Sequence, residues 1–388
     1  MSYNLYPAVL YLQDSTLYKG WSFFKLSSSF GEIVFNTGMT GYQEILSDPS
    51  YAGQMIVFTY PEIGNTGFNN EDNESNFIHA KAIIAKRFSS VSSNWRSTIS
   101  FRDYLISKRI PHIFGLDTRS ITKHLTLFGV TNAVLLNLNS YLEMRFPMLK
   151  SLYNLDLVRK VTSKKMYNFL QLHSYDYDSY LLTKFRFIKH RKILKKLKVL
   201  VIDFGTKFSI LRNLLYLGCD VFILPATSSY SDILKYKPDG ILLSNGPGDP
   251  MMSSYAINTV KNLVNFANIP IFGICMGHQI LNLSFDFTTF KLKFGHRGLN
   301  HPSGICSYSE ITSQNHGFAV DKNSSMNNTV FCGLSDKYYN LNDLTLSCTY
   351  HKKLPIFSVQ YHPESSPGPH DSQYLFETFL KIIQILNT

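Results

Sequence analysis

From Lys198 onward, short uninterrupted apolar runs alternate with helix-like stretches, and this alternation restricts the fold more than any other property of the chain. Val199-Leu200-Val201-Ile202 is apolar at every position, as a strand covered on both faces must be. The amphipathic stretch Ile210-Leu211-Arg212-Asn213-Leu214-Leu215 comes next, then the strand-like Val221-Phe222-Ile223-Leu224 and Gly240-Ile241-Leu242-Leu243. A helix is predicted from Ala256 to Phe266 and a further strand at Ile269-Pro270-Ile271-Phe272. Strands and helices repeating at this spacing predict an α/β fold, a doubly wound and mostly parallel sheet. Ligands in such sheets gather outside the carboxyl ends of the strands. Two Gly-rich segments stand at such ends: Ser244-Asn245-Gly246-Pro247-Gly248-Asp249-Pro250 and Gly273-Ile274-Cys275-Met276-Gly277.

The first half reads differently. Ala8-Val9-Leu10-Tyr11-Leu12, Gly31-Glu32-Ile33-Val34-Phe35-Asn36 and Gln54-Met55-Ile56-Val57-Phe58-Thr59 are strand-like, with Gly- and Pro-rich turns between them. A β-rich mixed domain over 1–150 is expected, then a connector over 151–196, basic towards its end, and the α/β domain over 197–388. The 388-residue length fits two domains at about 150 residues each. A hydrophobic fraction of 44% with 17% charged residues describes a folded globular chain. No run approaches the roughly 18 apolar residues of a membrane span, and the start lacks the basic and apolar regions of a secretory signal. Five cysteines, odd in number and without a Cys-x-x-Cys pair, argue for a reducing compartment. The net charge of +11 raises nucleic-acid binding. Much of the excess lies in one run, Lys184 to Lys198, which reads as a solvated connector face, and no nucleic-acid motif accompanies it. The excess of Asn, Lys, Tyr, Phe and Ile over Ala fits AT-rich coding. Neither nucleic acid nor membrane is expected as a partner.

Gly-x-Cys-x-Gly on a strand-to-helix turn is the thiol form of a nucleophile elbow. Small neighbours admit the sharp turn, and the helix after it aims N–H groups and its positive dipole end at the reacting atom. A thiol there gains nucleophilicity. The competing reading of this segment alone is a buried structural cysteine beside a packing glycine. A cysteine nucleophile needs a base, and the base an orienting group. His362 comes after the strand-like Phe357-Ser358-Val359-Gln360-Tyr361, and Pro363 holds Glu364 two residues on, where its carboxylate can fix the imidazole tautomer. His278 competes as base, but three residues past Cys275 it reads as a packing or capping residue. The Asn245–Pro250 loop lacks phosphate-cradle spacing. It offers the Gly248 N–H to an oxyanion, with the Met276 N–H as second donor; one such donor is commonly worth about 2.7–4 kcal/mol of barrier.

Gly273-Ile274-Cys275-Met276-Gly277-His278-Gln279 with His362-Pro363-Glu364 resembles the triad-type (class I) glutamine amidotransferase domain. Further segments resemble the carbamoyl phosphate synthetase small-subunit family: Ser244 to Pro250, Lys293 to Pro302, Gln314-Asn315-His316-Gly317-Phe318-Ala319-Val320, Ser366 to Asp371, Phe35 to Glu44 and Gly115 to Arg119. They span nearly the whole chain except the connector. The resemblance implies that Cys275 attacks the side-chain amide of L-glutamine, giving a γ-glutamyl thioester and ammonia, with His362 shuttling the proton and Glu364 orienting it. It implies a glutamine site lined by Ser50, Gly246, Gly248, Met276, Gln279, Asn315, Gly317 and Phe318, with Ser50 supplied by the first domain and the site therefore near the domain interface. Met276, Phe285-Asp286-Phe287, Arg297 and Leu299 depart from the family's usual residues.

The same resemblance implies a large synthetase subunit as partner, in a heterodimer or a higher oligomer of heterodimers. That subunit would use ATP and magnesium to turn ammonia and bicarbonate into carbamoyl phosphate for arginine and pyrimidine biosynthesis. No metal and no cofactor are expected in this chain. An amidotransferase serving anthranilate or GMP synthesis would not need the intact first half, and a silent docking subunit would be expected to lose Cys275 or His362. With no targeting segment recognised and a composition that fits AT-rich coding, the expected location is a plastid stroma, organelle-encoded, with a bacterial cytoplasm as the alternative.

Overall fold

The computed structural model describes residues 4–143, 155–172, 196–305, 307–327 and 334–387. They form two compact units: one running to Leu155 and including Lys293–Gly298, the other comprising Asp156–Leu292 and the chain from Leu299 onward.

Seven strands of the first unit close into a barrel: Tyr6–Leu12 (β1), Leu17–Ser22 (β2), Ser29–Asn36 (β3), Gln54–Phe58 (β4), Ala82–Ala85 (β5), His112–Phe114 (β6) and Thr131–Asn137 (β7), in the order β1-β2-β6-β5-β4-β3-β7. The pairs β3–β4, β4–β5 and β5–β6 are parallel, and the remaining four are antiparallel. Closure leaves no exposed sheet edge. Leu10, Ile33, Met55, Val57, Ile84 and Leu135 point into one core, packed also by Ile121 and Leu125 of the helix Thr118–Phe128 (α2); Phe101–Ser107 (α1) covers a second core with Phe101 and Leu105. Lys293–Gly298 joins this unit through backbone pairing: the Val130 N–H donates to the Lys293 carbonyl (2.9 Å) and the Thr37 N–H to the Arg297 carbonyl (3.2 Å).

The second unit is built on a ten-stranded sheet. Its strands are Tyr167–Asn168 (β8), Lys198–Asp203 (β9), Asp220–Pro225 (β10), Gly240–Leu243 (β11), Ile271–Ile274 (β12), Thr289–Ile305 (β13), Tyr308–Val320 (β14), Leu334–Asn340 (β15), Leu346–His351 (β16) and Ile356–Val359 (β17). Their order is β8-β10-β9-β11-β12-β17-β16-β15-β13-β14. The expected parallel, doubly wound core is the run β10-β9-β11-β12-β17. Antiparallel pairs extend it on both sides, so the whole sheet is mixed. The uninterrupted apolar runs have a plain cause: alternate residues enter cores on opposite faces. Leu200, Ile202, Ile241 and Leu243 pack beneath Ser254–Phe266 (α4) and Met276–Ser284 (α5). Val199, Val201, Leu242 and Phe272 pack beneath Phe208–Tyr216 (α3) and Tyr374–Leu386 (α6).

Two boundaries differ from the sequence expectation. Asp156–Leu172 belongs to the second unit rather than to a connector. Its short helix Val158–Val161 buries Val158 in the core, the Thr162 hydroxyl donates to the Asp203 carbonyl, and β8 adds an edge strand to β10. Sparse apolar spacing hid these elements, since two or three anchors suffice for so short a segment. Residues 173–195, with nearly all of the basic run 184–198, lie outside the described residues. The excursion of Lys293–Gly298 is the second difference; a polar strand carries no mark of which sheet it serves.

Phe272 is fully buried, stacked on Phe357 with ring centroids 4.4 Å apart and edge-on to Phe376 at 5.8 Å. Phe272→Ala is expected to destabilise the second unit by about 3–5 kcal/mol, read as a lower urea midpoint with an unchanged slope.

Candidate active site

Four neighbouring parallel strands, β9, β11, β12 and β17, end on one edge of the sheet, and the loops and turns leaving those ends meet there. After β12 comes Cys275, with φ 52° and ψ −101°, a conformation an L-residue holds only when its surroundings enforce it. The enforcement is visible. The Cys275 N–H donates to the Val359 carbonyl (2.8 Å), and the Gly277 N–H donates to the Ser244 carbonyl (2.9 Å). A Cβ on Gly277 would lie 2.2 Å from the Leu243 carbonyl oxygen, and one on Gly273 2.9 Å from that of Gly277. Both glycines of Gly-x-Cys-x-Gly are therefore demanded by close packing.

The Cys275 thiol is buried, 3.6 Å from the Asn315 carbonyl and 3.7 Å from Gln360 Nε2. His362 is held by its backbone N–H, which donates to the Ser313 carbonyl (2.9 Å), and by Nδ1, 2.7 Å from Glu364 Oε1. Its Nε2 is buried without a hydrogen bond of standard geometry, while the thiol is near enough to act on the ring's charge. Burial disfavours the imidazolium; the Glu364 carboxylate and then the Cys275 sulfur outweigh it and lift the pKa to about 10. Burial likewise disfavours the Glu364 carboxylate, but Lys207 and His362 hold its pKa down at about 2. Lys207 Nζ lies 2.8 Å from Glu364 Oε1, both side chains almost wholly buried. Burial, then nearby carboxylates, push the pKa values of Cys219 and Cys348 up to about 12.

Of the sequence-selected residues, Met276 follows Cys275 directly, the Asn315 carbonyl meets its thiol, and Gln279 reaches it through Gln360. Gly246 abuts Phe204, whose carbonyl oxygen would be 2.4 Å from a Cβ there, and Gly248, at φ 89°, backs onto Leu157. Met276 is the first residue of α5, so its N–H has no acceptor within the helix. Gln279 Nε2 donates to the Phe318 carbonyl (2.7 Å), which ties α5 to the β14 segment carrying Asn315, Gly317 and Phe318. Ser50 belongs to the first unit, buried in the turn Pro49–Tyr51, where its N–H donates to Asp48 Oδ1 (2.8 Å). His278 serves packing: it is fully buried, bonded at Nδ1 to Ser358 Oγ (2.8 Å), and burial pushes its pKa down to about 3. Sequence reasoning missed Lys207 and Gln360. Lys207 comes after β9 as Cys275 comes after β12, the one available hint, but its partner is 157 residues away. Among the described residues, no group of three or more His, Cys, Asp or Glu side chains could hold a metal ion, and no helix is long and apolar enough to cross a membrane.

Residues 10–135 match the family described as "Carbamoyl-phosphate synthase small chain, CPSase domain", and residues 200–382 match "Glutamine amidotransferase class-I". The carbamoyl phosphate synthase small chain of Gracilaria tenuistipitata var. liui is 54% identical over 387 residues, covering 99% of this chain and 96% of that one. That of Porphyra purpurea is 53% identical over 385 residues, covering 97% of each. That of Synechocystis is 47% identical over 382 residues, covering 97% of this chain and 96% of that one. The chain belongs to the carbamoyl phosphate synthase small chain family. Its second unit carries the class-I glutamine amidotransferase domain of that family, and its barrel the part particular to the small chain.

The positions expected from the resemblance to depart from the family pattern are accommodated locally. Met276 contributes a backbone donor and a buried side chain. Phe285 and Phe287 fill the core beside α5, while Asp286, at φ 63°, faces outward to meet Lys261 (2.8 Å). Arg297 Nη1 donates to the Phe294 carbonyl (2.7 Å). Leu299 opens the second unit's share of β13, and no contact explains its change.

Lys207→Met leaves the Glu364 carboxylate buried with one counter-charge fewer, and should cost about 3–5 kcal/mol at neutral pH. Glu364's depressed pKa contributes stability above about 4.5 that is lost as pH falls towards 2. The gap between the variant and the parent chain should therefore narrow across that interval in acid-titrated denaturation curves.

Proposed function

We propose that this chain is the glutamine-hydrolysing subunit that supplies ammonia to carbamoyl phosphate synthesis, with Cys275, His362 and Glu364 as its triad. The observation that carries the reading is the strained Cys275 at the head of α5, its N–H bonded to Val359 of the strand that leads to His362, whose Nδ1 meets Glu364. His362 takes the thiol proton and Cys275 Sγ attacks the side-chain amide carbon of L-glutamine. The oxyanion is received by the N–H groups of Met276 and Gly248, as at other acyl-transfer centres. The C–N bond then breaks, His362 returns the proton to the leaving nitrogen, and ammonia departs from a γ-glutamyl thioester. Water, deprotonated by His362, cleaves the thioester to glutamate and restores the thiol. Gly246, Gln279, Asn315, Gly317 and Phe318 shape the walls that hold the substrate.

Neutral ammonia is the useful product, and water would protonate and dilute it. The consumer is therefore a large synthase chain bound to this one, which uses ATP and magnesium with bicarbonate; the triad's own steps need neither metal nor cofactor. Red algal and cyanobacterial relatives, together with the AT-rich composition, support a plastid location, with a bacterial cytoplasm as the alternative.

Cys275→Ser, assembled with the large chain, is expected to lose glutamine-dependent synthesis while ammonia-dependent synthesis continues at the parent rate. Persisting turnover on glutamine would show that the thioester route is wrong.

A further inference from the structure

The side-chain amides beside the thiol are oriented by partners that can act in one direction only. Gln279 Nε2 is 2.7 Å from the Phe318 backbone carbonyl, which can only accept, so this end of the Gln279 amide is its NH2 group. The same NH2 donates to Gln360 Oε1 at 3.1 Å. The Gln360 carbonyl is thereby turned towards Gln279, and its own NH2 faces Cys275 Sγ at 3.7 Å. Gln360 is 2% exposed, and its backbone N–H donates to the Ser347 carbonyl (2.8 Å), so it has little freedom to reorient.

We infer that Gln360 is a further catalytic residue, whose Nε2–H donates to Cys275 Sγ and stabilises the sulfur as it becomes the thiolate. The inference rests on Cys275 being the nucleophile. It supplies what the triad alone does not. His362 removes the proton, but a buried thiolate left with no other donor would be poorly solvated. A hydrogen bond to an ionised acceptor is stronger than a neutral one, so the Gln360 contact tightens as the proton moves to His362. Gln279 and the Phe318 carbonyl act through Gln360 and are positioning residues for it.

The test uses the full chain assembled with the large chain, with iodoacetamide as the thiol probe. Gln360→Leu removes the donor, and Gln360→Glu keeps the shape while turning an acceptor towards the sulfur. Both should slow alkylation of Cys275 at neutral pH on the order of tenfold, the effect of one charge-assisted hydrogen bond. Both should lower kcat for glutamine similarly while KM stays within about twofold. Alkylation of Cys275 by mass-mapped labelling, followed by loss of glutaminase activity in the parent complex, checks the nucleophile separately. If that modification leaves activity intact, the nucleophile assignment fails. If it abolishes activity yet both Gln360 variants alkylate at the parent rate, or lose activity only through a raised KM, Gln360 packs the substrate wall and donates nothing to the sulfur. Should Gln360→Leu fail to fold, the isosteric Gln360→Glu decides between the same outcomes.

Discussion

Everything at the candidate active site depends on one backbone conformation, the left-handed Cys275 wedged between the ends of β12 and α5. An unsupported cysteine would relax out of φ 52°. It is kept there by hydrogen bonds to two flanking strands, through Val359 and Ser244, and by glycines too small to hold the turn off Leu243 and Ser358. The strain has a chemical return. It sets Cys275 directly before the first turn of a buried helix, with its sulfur between the Asn315 carbonyl and the Gln360 amide. The parallel core on either side sustains the strain, since its strands are locked by residues packed on both faces.

Around the thiol, charge is handled by a chain of unlike partners. Lys207, Glu364 and His362 are all buried, and any one of them alone would shed its charge. Together they keep the carboxylate ionised and the imidazole strongly basic. The imidazole's raised pKa contributes stability that is present below about 6.5 and lost as pH climbs to about 10, opposite in sense to that of Glu364. Between about 4.5 and 6.5 both contributions are present in full, with Glu364 ionised and His362 carrying its proton.

How much of the molecule is legible in its sequence depends on the range of the interactions. The strands Val199–Ile202 and Gly240–Leu243 are readable because burial on two faces imposes an unbroken apolar run. The elbow is readable because its steric demand falls within five residues, Gly273 to Gly277. His362 and Glu364 are readable because Pro363 fixes their spacing locally. Lys207 and Gln360 are not, as each matters only through a partner far along the chain, Glu364 in one case and Cys275 in the other. The packed segment Asp156–Leu172 escapes for a related reason: its hold on the sheet comes from Thr162, Ser163 and a two-residue strand, which have no periodicity to detect.

The two long-range partners missed by sequence reasoning divide the work that a buried nucleophile requires. Lys207 acts on the far side of the triad, where it fixes the ionisation of Glu364 and through it the basicity of His362. Gln360 acts on the near side, where a neutral donor meets the sulfur without adding a charge that would compete with the imidazolium. A second cation in place of Gln360 would stabilise the thiolate more in the resting site, but it would weaken the nucleophile and lower the basicity of His362. An oriented amide avoids both effects, and its orientation needs no charge either, only the Phe318 carbonyl and the Gln279 amide that reads it.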